Sequence, residues 1–140
     1  MPHPLSSIET AVEAIGRELM KLGLLRNNVP EQVALYFFHG VGHQLGLQTH
    51  DVFDKTRTLE SGMVVTNEPG VYVRKDDVLA SDVFRNLPSS DQQSIRAAVN
   101  RYDGIGVRIE DDVLITAGEP KILSTGAPRS SKEIEALMAR

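Results

Sequence analysis

Residues 39–51 run His39-Gly40-Val41-Gly42-His43-Gln44-Leu45-Gly46-Leu47-Gln48-Thr49-His50-Asp51. Three of the chain's four histidines fall here within twelve residues, interleaved with three glycines and closed by an aspartate. Glycine allows close backbone approach and turns that other residues resist. Imidazole titrates near physiological pH and is a common metal ligand. A cluster of this kind is costly to keep in a structural core, so the stretch reads first as a site. Were it helical, His39 and His43 would share a face. The zinc-protease pattern with glutamate after the first histidine is excluded, because Gly40 stands there. One such histidine alone would more often be a hydrogen-bonded structural residue; three in a glycine-rich frame favour a site.

Two later segments carry the opposite charge. Glu68 follows the apolar run Met63-Val64-Val65 and precedes Pro69-Gly70. A carboxylate ending a buried strand needs a partner, since an unpaired buried charge is expensive. Glu110 lies in Val107-Arg108-Ile109-Glu110, where strand alternation puts Arg108 and Glu110 on one face, opposite Val107 and Ile109. Either carboxylate alone is as compatible with a salt bridge as with a site. Asp111 and Asp112 read as turn or solvent residues. One histidine and two glutamates from separate segments could converge on a hard or borderline divalent ion. Two ions bridged by a carboxylate activate water and polarise a carbonyl, which is the chemistry of a dinuclear hydrolase.

The chain has 140 residues, which fits one domain over 1–140, and 41% hydrophobic residues, enough to bury a core. Net charge is 15 − 19 = −4, without a lysine- or arginine-rich block, so nothing suggests nucleic-acid binding. Cysteine is absent, which removes disulfides and thiolate sites and leaves any metal to nitrogen and oxygen donors. The first residues lack the basic and apolar regions of a signal peptide, and no apolar run is long enough for a membrane span. The simplest expectation is a cytoplasmic protein with no membrane partner.

Ser6 and Glu9 form a capping-box pattern ahead of Ile8, Val12, Ile15, Leu19 and Leu22 at helical spacing, predicting a helix over 7–22 stopped by Gly23. Residues 24–29 read as a linker, and Pro30 as the start of a short helix to about Leu35. Tyr36-Phe37-Phe38 resembles a strand running into the histidines. Residues 58–62 are turn-like, 63–66 a buried strand, and Val71-Tyr72-Val73 its partner or continuation. Residues 74–88 read as an extended loop, and Ser89-Ser90-Asp91 as the cap of a helix over 91–101. Residues 105–116 form a long strand or bent pair. Ser130 and Glu133 cap a C-terminal helix ending near Met138. The fold class is α+β.

The order HGxGHxxGLxxHD, then TxEPGxY, then GIGVRIEDDVLIT resembles the pita-bread metallopeptidases, which include aminopeptidase P, prolidase and methionine aminopeptidase. The likeness covers most of the chain and is nearest to Xaa-Pro aminopeptidases. It implies the C-terminal portion of a pita-bread fold, a curved antiparallel sheet flanked by helices. By position it implies His43, Glu68 and Glu110 as metal ligands, and Glu68 as a proton shuttle. It implies His39 and His50 as substrate-contacting catalytic residues and Arg108 as support for the metal carboxylates. The implied cofactors are two divalent ions, manganese by family expectation, with cobalt or zinc as substitutes. The implied substrate is a peptide with proline second.

Family members carry two further aspartate ligands on strands before the first helix, and no aspartate lies among Met1–Ser7. The expectation is therefore a partial catalytic domain, inactive alone and prone to self-association through uncovered strand edges. A prolidase-type dipeptidase and a non-catalytic binding module on the same frame are the alternatives. Phe53 replaces a frequent glycine and Asn67 a usual apolar residue, changes that bear on the pocket.

Overall fold

The computed structural model describes residues 4–52 and 57–139, so Phe53 lies outside the described residues. Helix α1 spans Pro4–Lys21. It starts before the expected position, which puts Ser6 inside the helix and not at its cap. Gly23, at φ 75°, turns the chain after it as expected. Helix α2, Pro30–Val33, begins on its proline and is shorter than predicted. The connection before it is tied by Gln32, whose side-chain oxygen accepts from the Arg26 and Asn27 amides, both at 3.2 Å.

Tyr36-Phe37-Phe38 is not a strand. The amides of Tyr36 and Phe37 both bond back to the Val33 carbonyl, at 3.0 and 2.9 Å, so their donors are spent on the helix end. Tyr36 and Phe37 enter the core instead. The Tyr36 hydroxyl donates to the Leu24 carbonyl at 2.8 Å, fastening the post-α1 turn to this segment.

The strands are β1 (Val64–Asn67), β2 (Gly70–Tyr72), β3 (Gly106–Arg108), β4 (Asp111–Leu114) and β5 (Lys121–Ile122). All pairing is antiparallel: β1 with β4, β4 with β5, and β2 with β3. The alternating run 105–116 is thus a bent pair, β3 then β4, and β2 pairs with β3 and not with β1. Asp111 and Asp112 lie in β4, correcting their reading as turn or solvent residues. Asp111 is held by an ion pair to Arg129 (Nη2–Oδ1, 2.7 Å) and a hydrogen bond from Ser124 Oγ at 2.5 Å.

Residues 74–88, expected as an extended loop, contain two short helices: α3 is Lys75–Ala80 and α4 Asp82–Arg85. The signal is non-local. Asp103 accepts from the Lys75 amide at 3.1 Å, capping α3 across 28 residues, a bond that also holds the Asp103 carboxyl below its ordinary range. Ser81 caps α4 by accepting from the Phe84 amide. Helix α5, Ser89–Tyr102, starts directly after Pro88, so Ser89 and Ser90 lie in its first turn without capping it. Helix α6, Ser131–Met138, has the predicted Ser130–Glu133 capping box. Among the described residues no helix is long and apolar enough to cross a membrane.

The core gathers Leu19, Leu24, Val33, Tyr36, Val78, Phe84, Ile95 and Val99 where the helices meet. The sheet side is covered less. A groove of about 1190 Å³ lies between α1 and the strands, lined by Ile8, Ile15, Val65, Val71, Val107 and Val113. Val107 is 58% exposed.

Burial raises the Tyr36 hydroxyl far above its ordinary pKa of 10.0. The folded phenol keeps its proton where the unfolded one loses it, so this stabilisation is full below pH ~10 and falls as pH rises further. Tyr36→Phe is expected to remove that part of the alkaline fall. At neutral pH it should cost about 1–2 kcal/mol, because the Leu24 carbonyl loses a buried donor. Urea titrations on both sides of pH ~10 check both effects.

Candidate metal centre

The site forms where the paired strands break. Asn67 faces Asp111 on one side of the break and Gly70 faces Arg108 on the other, so one register runs through it. Glu68 and Glu110 are therefore opposite positions. Pro69 has no amide hydrogen, which interrupts the ladder; its carbonyl accepts from Ile109 at 3.3 Å. Like charges directly opposite on a strand pair repel and call for a cation. One cation present is Arg108, whose Nη1 lies 3.2 Å from Glu68 Oε2. Its Nε donates to the Tyr72 hydroxyl at 2.7 Å, and this bond is the leading cause of an Arg108 pKa above the ordinary value.

His43 arrives from the other edge of β1. The Thr66 amide donates to the His43 carbonyl and the Glu68 amide to the Val41 carbonyl, each at 2.8 Å, and Leu45 donates to Val64 at 3.2 Å. This approach requires Gly42: a Cβ there would lie 2.1 Å from the Thr66 carbonyl oxygen. The glycine spacing seen in the sequence is thus the condition for laying the histidine segment along the strand.

Donor atoms of His43, Glu68 and Glu110 all lie within 4.8 Å of one another. Glu68 is buried, 7% exposed, with Oε1 3.2 Å from His43 Nε2. His43 Nδ1 lies 3.1 Å from the Gln44 carbonyl. With the proton on Nδ1, that nitrogen donates to the carbonyl and Nε2 presents a lone pair toward the carboxylate, an arrangement typical of metal-ligating histidine. Two unprotonated acceptors so close repel unless a proton or metal ion joins them. The donor set, one imidazole and two carboxylates, fits a hard or borderline divalent ion.

Thr66 and Tyr72 complete the surroundings and were not singled out as site residues in the sequence. Thr66, 4% exposed, accepts from the His43 amide at 2.9 Å and donates to Glu68 Oε1 at 3.0 Å. The signal for it was the two-residue period, which puts 66 on the face of 68.

His50 packs against His43, ring centroids 4.4 Å apart and nearly perpendicular, and is itself exposed. His39 does not join the donor group. It stands edge-on to Phe37 and Tyr72, at 5.0 and 5.6 Å. Its Nδ1 lies 2.7 Å from the Gly40 carbonyl, while Nε2 is buried with no hydrogen-bond partner among the described residues. Asp51 is committed to its own loop, accepting from the Leu47 and Val52 amides. Asn67 ends β1, exposed, and lines the groove.

The sequence profile of metallopeptidase family M24 matches residues 5–117. The chain belongs to this family. Human Xaa-Pro aminopeptidase 3 is 37% identical over 132 residues, covering 90% of this chain and 22% of that protein. Xaa-Pro aminopeptidase of Escherichia coli (strain K12) is 39% identical over 129 residues, 86% of this chain and 25% of that protein. Pseudomonas aeruginosa aminopeptidase PepP superposes with a TM-score of 0.70 at 36% identity, over 91% of this chain and 27% of that one. Zinc-substituted E. coli aminopeptidase P, in complex with product, gives 0.68 at 33% identity, over 97% and 32%. The fold is thus the pita-bread fold in part, and the chain spans only about a quarter of the length of these curated relatives.

Gly42→Ala is expected to lift the histidine segment off β1 and destabilise the protein by at least ~2 kcal/mol, as a backbone clash with no flexible neighbour to yield. Chemical denaturation, with faster amide exchange at Thr66 and Glu68, checks this.

Proposed function

We propose that residues 1–140 are one partial catalytic domain, the C-terminal part of a two-metal Xaa-Pro aminopeptidase. The complete enzyme removes the N-terminal residue of a peptide whose second residue is proline. The observation that carries this reading is the His43–Glu68–Glu110 donor set in a metallopeptidase-family chain. Relatives named Xaa-Pro aminopeptidase support the specificity, and E. coli aminopeptidase P has been solved with the inhibitor Pro-Leu.

In this reading His43, Glu68 and Glu110 hold divalent ions, manganese by family expectation, with cobalt or zinc as substitutes. Such ions supply Lewis-acid polarisation of a carbonyl and activation of water. Arg108 contacts one oxygen of Glu68 and Thr66 donates to the other, which fixes the orientation of the carboxylate. Glu68 is then the group that takes up and passes on a proton. His39, whose buried Nε2 has no hydrogen-bond partner among the described residues, and His50, packed against the His43 ring, are the residues assigned to substrate contact.

Three donors hold one ion loosely. A dinuclear site needs further carboxylates, which this reading assigns to sequence outside these 140 residues. The uncovered groove and the exposed Val107 and Ile109 support self-association of the chain when it is isolated.

Manganese titration followed by electron paramagnetic resonance is expected to show one weak site. Glu110→Gln and His43→Ala should each weaken it at least tenfold, while Glu119→Gln leaves it unchanged. The chain alone is expected not to cleave an Ala-Pro peptide with manganese; steady metal-dependent release of alanine would overturn the partial-domain reading.

Sedimentation over a wide concentration range is expected to show dimers or larger species. A monomer at every concentration would count against the self-association.

A further inference from the structure

Next to the donor cluster lies an aromatic and cationic surface that the peptidase chemistry does not use. Alternation along residues 70–74 sends Val71 and Val73 to the apolar groove and leaves Tyr72 and Arg74 on the face of Glu68. The Tyr72 hydroxyl is anchored to Arg108. Its ring lies 5.2 Å from that of Phe38, tilted by 38°. The Arg74 guanidinium carbon stands 4.6 Å over the Phe38 ring. Phe38 is 48% exposed, a large aromatic surface held open between a tyrosine and an arginine.

We propose that Phe38 and Arg74 form a ledge for the C-terminal end of a short peptide substrate, with Phe38 under its last side chains and Arg74 pairing with its free carboxylate. The proposal rests on the peptidase reading above and extends it to peptide length and terminus.

The two arginines on this face are not equivalent. Arg108 is held in place by Glu68 at Nη1 and Tyr72 at Nε. Arg74 has a loose ion pair to Asp77, 3.6 Å, too long for a hydrogen bond. Stacking on Phe38 orients its guanidinium while leaving the N–H edge to solvent, the edge that takes a carboxylate in paired bonds. From Arg108 to the Tyr72 ring is 5.8 Å, followed by the 5.2 and 4.6 Å steps to Phe38 and Arg74. An extended peptide advances ~3.3 Å per residue, so these steps, which need not be collinear, span at most roughly four residues beyond the cluster. A dipeptide held at the cluster would fall short of Arg74.

The test is a ¹⁵N NMR titration of the manganese-free chain and, for affinities, calorimetry of the manganese-loaded chain, with three probes. These are the pentapeptide Ala-Pro-Gly-Leu-Gly as free acid, its C-terminal amide, and the dipeptide Ala-Pro. The acid is expected to bind about two- to fivefold tighter than the amide, the range of an exposed ion pair. Arg74→Ala should abolish that ratio without changing dipeptide affinity, Arg74→Lys should restore part of it, and Phe38→Ala should weaken acid and amide alike. Arg74 is exposed, so unchanged amide positions elsewhere will show that the variant folds. An acid-to-amide ratio that survives Arg74→Ala overturns the ledge alone. Failure of all three peptides to bind a chain whose manganese signal is present overturns the ledge, whereas loss of the manganese site itself overturns the peptidase reading.

Discussion

The antiparallel pairing of residues 64–72 with 106–114 in a single register is the interaction on which the rest depends. It keeps one register while the hydrogen-bond ladder breaks at Pro69, and the break falls where both glutamates sit. Two carboxylates are thereby set opposite one another, beside the Ile109-to-Pro69 bond. A slip by one residue would turn both to the groove side, because strand side chains alternate. The apolar runs on the other face, Val65, Val71, Val107 and Val113, oppose that slip, so ordinary hydrophobic patterning holds the unfavourable charge pair in place.

The parts of the site legible in the sequence were those whose signal is local. Histidines in a glycine frame, a glutamate before Pro-Gly and an alternating Arg108–Glu110 pair all announce themselves within a few residues. The role of Gly42 was not legible, because it is defined by the Thr66 carbonyl on a different strand. Thr66 and Tyr72 stood inside the motifs but acquire meaning only through their partners, His43 and Glu68 for one and Arg108 for the other.

The fold shows the same division. Helices α1 and α6 have their periodicity and, for α6, its cap in adjacent residues, and both were predicted. Residues 74–85 are broken at Ser81 into two helices of six and four residues, and the first receives its cap from Asp103, far along the chain, so local pattern described them as a loop. Tyr36-Phe37-Phe38 has strand composition, yet Val33 claims two of its donors and the core claims two of its rings. Composition proposed a strand there, and tertiary packing decided otherwise.

The segment between Leu45 and Val64 leaves the edge of β1 and returns to it, with Leu45 bonded to the Val64 carbonyl at its base. His43 lies just outside this closed loop and His50 within it. Changing the length of such a loop is thermodynamically mild, each doubling costing only ~0.6 kcal/mol in closure entropy. Insertions or deletions there would move His50 and its neighbours while His43, Glu68 and Glu110 keep their places. The architecture is therefore modular: the loop can be exchanged while the frame of His43, Glu68 and Glu110 stays constant.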